Sequence, residues 1–167
     1  MKFLICLMLM GSFLSVCAQT PVKPATPSPV TLVTYGVPIS LEYAKKILAS
    51  AEAFAFSKQY TVAIAIVDNG SNLVAFSRMD NTQIGSIDVA IGKAKTANNF
   101  KRPSKVFEET VTNGGAGLRV LTLPVYAIEG GEPIFAADGK IIGAIGVSGM
   151  TSGQDVEVVK AALAGIK

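Results

Sequence analysis

The stretch TVAIAIV (61–67), Asp68-Asn69-Gly70-Ser71-Asn72, then LVAFSRM (73–79) constrains this chain more than any other. Two β-rich segments joined by so short a loop lie side by side as antiparallel neighbours, because a parallel return needs a crossover of a dozen residues or more. Asn69-Gly70 is read as the source of the positive φ that a tight reversal needs. The apolar face of such a hairpin has to be covered, and the remaining segments must supply the cover.

Helical periodicity supplies it. Leu41, Ala44, Ile47, Leu48, Ala51 and Ala55 recur at three and four, with Ser40 placed to cap the free amides, which predicts a helix over 41–57. Ile84, Ile87, Ile91 and Ala94 predict a second helix, with Gly85 and Gly92 as points of close approach. Pro103 interrupts it, and SKVFEETV (104–111) reads as a short third helix before the loop NGGAG (113–117). Three strands follow, at Val125–Ile128, Ile134–Ala137 and Ile141–Val147, separated by a Gly130-Gly131 turn and an Asp138-Gly139 hairpin turn. A last helix starts after Ser152, with Asp155 closing a capping box and Val156, Val159, Leu163 and Ile166 facing inward. The expected class is α+β: an antiparallel five-stranded sheet covered by helices, in the order α-β-β-α-α-β-β-β-α.

Residues 1–18 read as a secretion signal: Lys2, an apolar run too short to span a membrane comfortably, and small residues before Gln19. Cys17 resembles a lipoprotein site, but Val16 is bulky where such signals carry a small residue, so soluble export is expected rather than a lipid anchor or a membrane span. Residues 19–37, with Pro21, Pro24, Pro27 and Pro29, read as a flexible tether. Residues 38–167 then form a single domain. Both cysteines lie in the leader, so the exported chain has no disulfide. Removing the leader leaves 14 of the 15 Lys+Arg against 12 Asp+Glu, which gives no electrostatic case for nucleic acid. The sequence contains no histidine. Ser-His-Asp and Cys-His catalysis are thereby excluded, as are ordinary zinc sites, and acid–base work falls to Asp, Glu, Lys or Tyr.

The segment IIGAIGVSGMTSGQD (141–155) spaces Gly143, Gly146 and Gly149 as G-x-x-G-x-x-G, neither a dinucleotide fingerprint nor a P-loop. With VDNGSNLVAFSRMD (67–80), IGSIDVAIGKAKTA and FKRPSK (84–105) and EGGEPIF (129–135), it resembles the GlcG/HbpS family of haem-binding-like proteins. The resemblance runs from about residue 38 to the end. It implies a helix-covered sheet, commonly assembled into homo-oligomers, in a family that includes a secreted haem-binding redox sensor, proteins encoded with glycolate oxidation, and a domain attached to corrinoid adenosyltransferases. It also implies that Gly143 and Gly146 are strand glycines under a close-packed helix.

A tetrapyrrole or related small carboxylic acid is the ligand this resemblance implies, with haem as the possible cofactor. Without histidine, iron is left with Tyr, Met or Lys, and the candidates are Tyr126, in the expected strand beside the EGG turn, and Met150, in the glycine-rich turn. Arg78, Lys93 and Arg102 are expected to form an electropositive mouth for propionates if they converge, the alternative being Arg78 paired with Asp80 and Lys93 on a solvated helix face. Thr96 and Phe100, with Asn99, are expected to line the cavity. A second reading is an enzyme acting on a small hydroxy or keto acid, with Arg78 or Arg102 on the carboxylate and Glu129 or Asp80 as base. A third is an oligomeric scaffold without a ligand.

Overall fold

A computed structural model describes residues 32–165 of the chain. The elements run α1 (Leu41–Ser57), β1 (Ala63–Asp68), β2 (Leu73–Arg78), α2 (Ser86–Asn99), α3 (Lys105–Thr112), a 3-10 segment (Gly115–Thr122), β3 (Gly131–Phe135), β4 (Ile141–Ser148) and α4 (Ser152–Ala164). The sheet is antiparallel throughout, in the order β2-β1-β4-β3. It has four strands, not the expected five. Residues 125–128 satisfy their backbone elsewhere: Val125 N–H turns back to the Leu123 carbonyl, and Tyr126 N–H donates to the Thr96 hydroxyl. Pro124 adds no donor at all.

Alternation along the strands sorts the core into two faces. Ile64, Ile66, Ile145 and Val147 face α1 and α4, packing against Ile47, Ala51, Val158 and Val159. Ala63, Ala65, Val67 and Ala144 face α2, which presents Ala90, Ala94 and Ala97. The second interface is built almost wholly of alanine, so α2 lies very near the sheet. A Cβ on Gly146 would come 2.1 Å from the Ala90 carbonyl oxygen, which confirms Gly146 as a strand glycine under a close-packed helix. Of the expected stripe, Ala94 lies on the contact face and Ile91 packs at its margin, whereas Ile84, which precedes the helix, is 79% exposed.

Local chemistry explains the boundaries. Ser40 caps α1 by accepting the Tyr43 N–H at 3.2 Å. The first hairpin turns by another route than Asn69-Gly70: the Asp68 carboxylate accepts from the N–H groups of Gly70 and Asn72, and the positive φ falls on Ser71. The cap of α4 is Thr151 in a capping box with Gln154, one residue before the expected Ser152–Asp155 pair, because the Asp155 carboxylate is drawn inward. Its buried residues are Asp155, Val158, Val159 and Ala162; Val156 and Leu163 are half-buried, and Ile166 lies outside the described residues.

The leader 1–18 and tether residues 19–31 also lie outside the described residues. The tether does not extend to residue 37, however. Ile141 N–H donates to the Thr34 carbonyl at 2.9 Å, Gly36 N–H returns to Ile141 at 2.8 Å, and the Tyr35 hydroxyl reaches the Asn98 carbonyl at 2.7 Å. Residues 34–36 thus belong to the domain. Among the described residues no helix is long and apolar enough to cross a membrane.

Glu132 on the edge strand β3 is half-buried, and burial pushes its carboxyl above the usual carboxylate range, with Lys160 pulling the other way. A carboxyl raised in the folded state favours folding only while protonated, and that contribution is lost as pH rises through its folded value. Glu132→Gln should therefore raise the melting temperature at pH 7, and the gain should vanish near pH 4; a gain of equal size at both pH values would contradict this.

Candidate functional site

Two family-like motifs far apart in sequence meet at the EGG turn, Glu129-Gly130-Gly131. Beneath it lies Lys93 of α2, 1% exposed, whose Nζ donates to Asp155 Oδ2 at 2.9 Å and to the Val147 carbonyl at 2.9 Å. Asp155 is 2% exposed, and its other oxygen accepts the Met150 N–H at 3.1 Å. Burial pushes the Asp155 carboxyl above its ordinary value, with a smaller push from Glu129, against the pull of the Lys93 ammonium and the Met150 N–H. Gly130 closes the turn over the amine at φ +110°, where a Cβ would stand 3.0 Å from Lys93 Nζ. Lys93 is therefore neither on a solvated face nor in an open mouth.

Above the buried pair the chemistry turns polar and open. The Glu129 carboxylate pairs with Lys105 at 2.9 Å, which raises the Lys105 amine, and Glu129 N–H donates to Glu108 Oε2 at 2.8 Å. The Ser104 hydroxyl donates to the Ile128 carbonyl and accepts from Gly131 N–H, pinning the turn from the other side. Lys105, Glu108, Glu109 and Thr112 recur at helical spacing along one side of α3, and with Asn113 and Glu129 they line a cleft of about 450 Å³.

Thr96 and Tyr126 meet beside this turn. The Thr96 hydroxyl donates to the Gly92 carbonyl at 2.8 Å and accepts Tyr126 N–H at 2.9 Å. The Tyr126 ring lies on Gly92, where a Cβ would come 2.2 Å from it, so Gly92 is the point of close approach its sequence position implied. Thr96 is 1% exposed and Tyr126 40%. Thr96 is therefore buried in α2 and positions the loop.

The remaining predicted residues lie apart. Arg78 pairs in register with Ala63 at the start of β1, whereas the Asn98 amide at the end of α2 bonds the Asn69 carbonyl beyond the far end of that strand. Arg102 follows four residues later, so the length of β1, about 20 Å, separates it from Arg78. Its guanidinium lies 5.9 Å from the Phe107 ring, and Phe100 meets Phe107 edge-on at 5.1 Å. One chain thus forms no mouth from Arg78, Lys93 and Arg102. Nor does Arg78 pair with Asp80 among the ion pairs of the described residues. Both line an open cleft of about 570 Å³ with Glu52, Phe56 and Ser77. Met150 is half-buried, its sulfur 4.0 Å from the Thr61 hydroxyl.

A third cleft was not legible in the sequence. Tyr43, Pro133, Ile134, Phe135, Ala136, Ala137 and Leu163 enclose about 580 Å³ along β3, and the cleft is mostly apolar. Phe135 remains 48% exposed in it. The available signal was an outward-facing Phe on a strand that contains Pro133, which marks a sheet edge.

Comparisons with known proteins agree with this fold. The family model described as haem degrading protein HbpS-like matches residues 39–164. Protein GlcG of Escherichia coli K12 is 40% identical over 111 residues, covering 66% of this chain and 81% of GlcG. Among solved structures, a PduOC:heme complex superposes with a TM-score of 0.71 at 28% identity, covering 78% of this chain and 96% of that one. A double mutant of Streptomyces reticuli HbpS gives a TM-score of 0.69 at 26% identity, covering 90% and 99%.

Removing one member of a buried ion pair strands the other. Asp155→Asn keeps an acceptor for Met150 N–H but leaves Lys93 unpaired, and should cost about 3–5 kcal/mol in denaturant unfolding. Adding Lys93→Met should restore most of that loss. Additive losses would show that the pair is not coupled.

Proposed function

Since the chain belongs to the HbpS-like family, we propose that it binds a tetrapyrrole, haem being the test case, in the apolar cleft along β3. The carrying observation is the chemistry of that cleft: about 580 Å³, within the usual range of small-molecule sites, and lined mostly by apolar side chains. The complex of a structural relative with heme supports the ligand class. Phe135, Ile134 and Leu163 would cover the macrocycle. Lys160, which lines a neighbouring cleft with Leu163, would serve as the cation for a propionate. Bound haem would supply iron redox and ligand-binding chemistry. The residues present fit the macrocycle better than the iron, because the chain has no histidine and the cleft offers one phenol, Tyr43. The reading is therefore of apolar capture with weak ligation.

A second reading is favoured by the cleft that holds Arg78 with Asp80: a forked cation beside a carboxylate suits a small hydroxy or keto acid. Export is also part of the proposal, with cleavage before Gln19; the mass of the mature protein recovered from a secreting host decides it, and a retained or lipidated Cys17 would overturn it.

Titration with haem should give a saturable Soret change at one per chain. Phe135→Ser should weaken binding at least tenfold, about 1.4 kcal/mol. Tyr126→Phe and Arg102→Ala should leave it unchanged, and Tyr43→Phe should alter the ferric spectrum more than the affinity. If Phe135→Ser is silent and Arg78→Ala weakens binding, the ligand belongs in the cleft between α1 and β2. Thermal stabilisation by glycolate or glyoxylate without any saturable haem response would favour the second reading.

A further inference from the structure

The chain carries two Asn-Gly pairs, Asn69-Gly70 and Asn113-Gly114. Asparagine is thermolabile where the next backbone nitrogen can reach its side-chain carbonyl carbon, and a following glycine, with no Cβ, leaves that approach open. Local sequence does not separate the two pairs. The fold does.

Asn69 is held at both ends. It is half-buried, its side-chain amide donates to the Gly36 carbonyl, and its backbone carbonyl accepts from the Asn98 amide at 3.1 Å. The Gly70 N–H, whose nitrogen would have to attack, donates to the Asp68 carboxylate at 2.9 Å. An anion bonded to that proton opposes its loss.

Asn113 is in the reverse situation. It caps the C-terminal end of α3, it is exposed, and its side chain enters no hydrogen bond among the described residues. The Gly114 N–H donates to a neutral group, the Val111 carbonyl, at 2.9 Å, in the last turn of the helix, where helices fray. Ring closure needs the Asn113 backbone to leave its helical ψ of −12°. Gly114 and Gly115 follow at φ +67° and +55°, and nothing lies within 4 Å of where a Cβ would stand on either, so no neighbour crowds that rotation.

We propose that Asn113 is a modification site, deamidated spontaneously in the folded protein to aspartate or isoaspartate. The Gly114 nitrogen, its proton passed to solvent, bonds to Asn113 Cγ, and the side-chain nitrogen leaves as ammonia with a proton from solvent. Water then opens the five-membered imide at one or the other carbonyl. One water enters, one ammonia departs, and one carboxylate appears. It joins a cleft in which Glu108, Glu109 and Glu129 already face one amine, Lys105, and it stands at the negative end of the α3 dipole. The polar cleft thus gains negative charge as the protein ages. None of this depends on the haem reading.

Incubation of the purified protein in mildly alkaline buffer, followed by trypsin digestion and mass spectrometry, separates the two sites. Asn69 falls in the peptide Gln59–Arg78 and Asn113 in Val106–Arg119. In the folded protein, amide-to-acid conversion should be at least tenfold faster at Asn113, with isoaspartate among the products, because Asn69 reacts only through local opening. In denaturant the two rates should converge. Asn113→Gln should abolish the acidic form that accumulates on anion exchange. Asn113→Asp should reproduce that form and melt below the parent at low salt, by a margin that shrinks as salt is added. Conversion at Asn69 as fast as at Asn113 in the folded protein would overturn the proposal. So would an acidic form that persists in Asn113→Gln, or an Asn113 that reacts only in denaturant.

Discussion

The ion pair between Lys93 and Asp155 joins two helices that lie on opposite faces of the sheet. Lys93 comes from α2 and Asp155 from the first turn of α4, and they meet at the end of β4, where the Val147 carbonyl accepts a second N–H of the amine. Bringing both charges out of water costs several kcal/mol per ion. Mutual attraction offsets that cost only with good geometry, and here the pair gains two further bonds, to the Val147 carbonyl and from the Met150 N–H. The loop from Gly149 to Thr151 is thereby fixed, and the EGG turn closes over the amine. The position of Glu129, and through it the polar cleft, follows from this buried contact.

Small side chains govern the other half of the architecture. Alanines and Gly146 let α2 settle onto the sheet at backbone distance, and Gly92 on its outer side admits the ring of Tyr126. Close approach on both sides of one helix carries the chain after α3 across the surface as a loop whose backbone is bonded by side chains. The loop is held at Thr96, Ser104 and Glu108, and its own apolar side chains remain outside. Among the described residues no fifth strand forms from this segment.

Clefts of different chemistry share one scaffold: polar beside α3, mixed between α1 and β2, and apolar along β3. Membership in a family establishes the scaffold, and function has to be argued from the site. Apolar lining and volume favour the β3 cleft for a planar ligand. The missing histidine separates capture of such a ligand from strong ligation of its iron.

Much of the architecture was legible in the sequence because it rests on local periodicity and turn chemistry: the cap at Ser40, the span of α1, the Asp138-Gly139 turn, the strands β1, β2 and β4, and the family-like order of the glycine motifs; β3 begins at Gly131, inside the expected turn, and ends at Phe135 rather than Ala137. The exclusion of histidine chemistry needs no structure at all. Lys93 shows the limit. In the sequence it is one of several lysines on a helix, and nothing local announces a carboxylate 62 residues away. Asp155 likewise suits a helix cap, and only the depth of the α2–α4 junction turns it inward and passes the cap to Thr151. Arg78 and Arg102 belong to adjacent motifs, yet the length of β1 keeps them apart. Periodicity specifies which face of an element is apolar; which polar groups meet across a sheet depends on the distance at which those faces pack, and alanine, glycine and the buried pair set that distance only in the assembled fold.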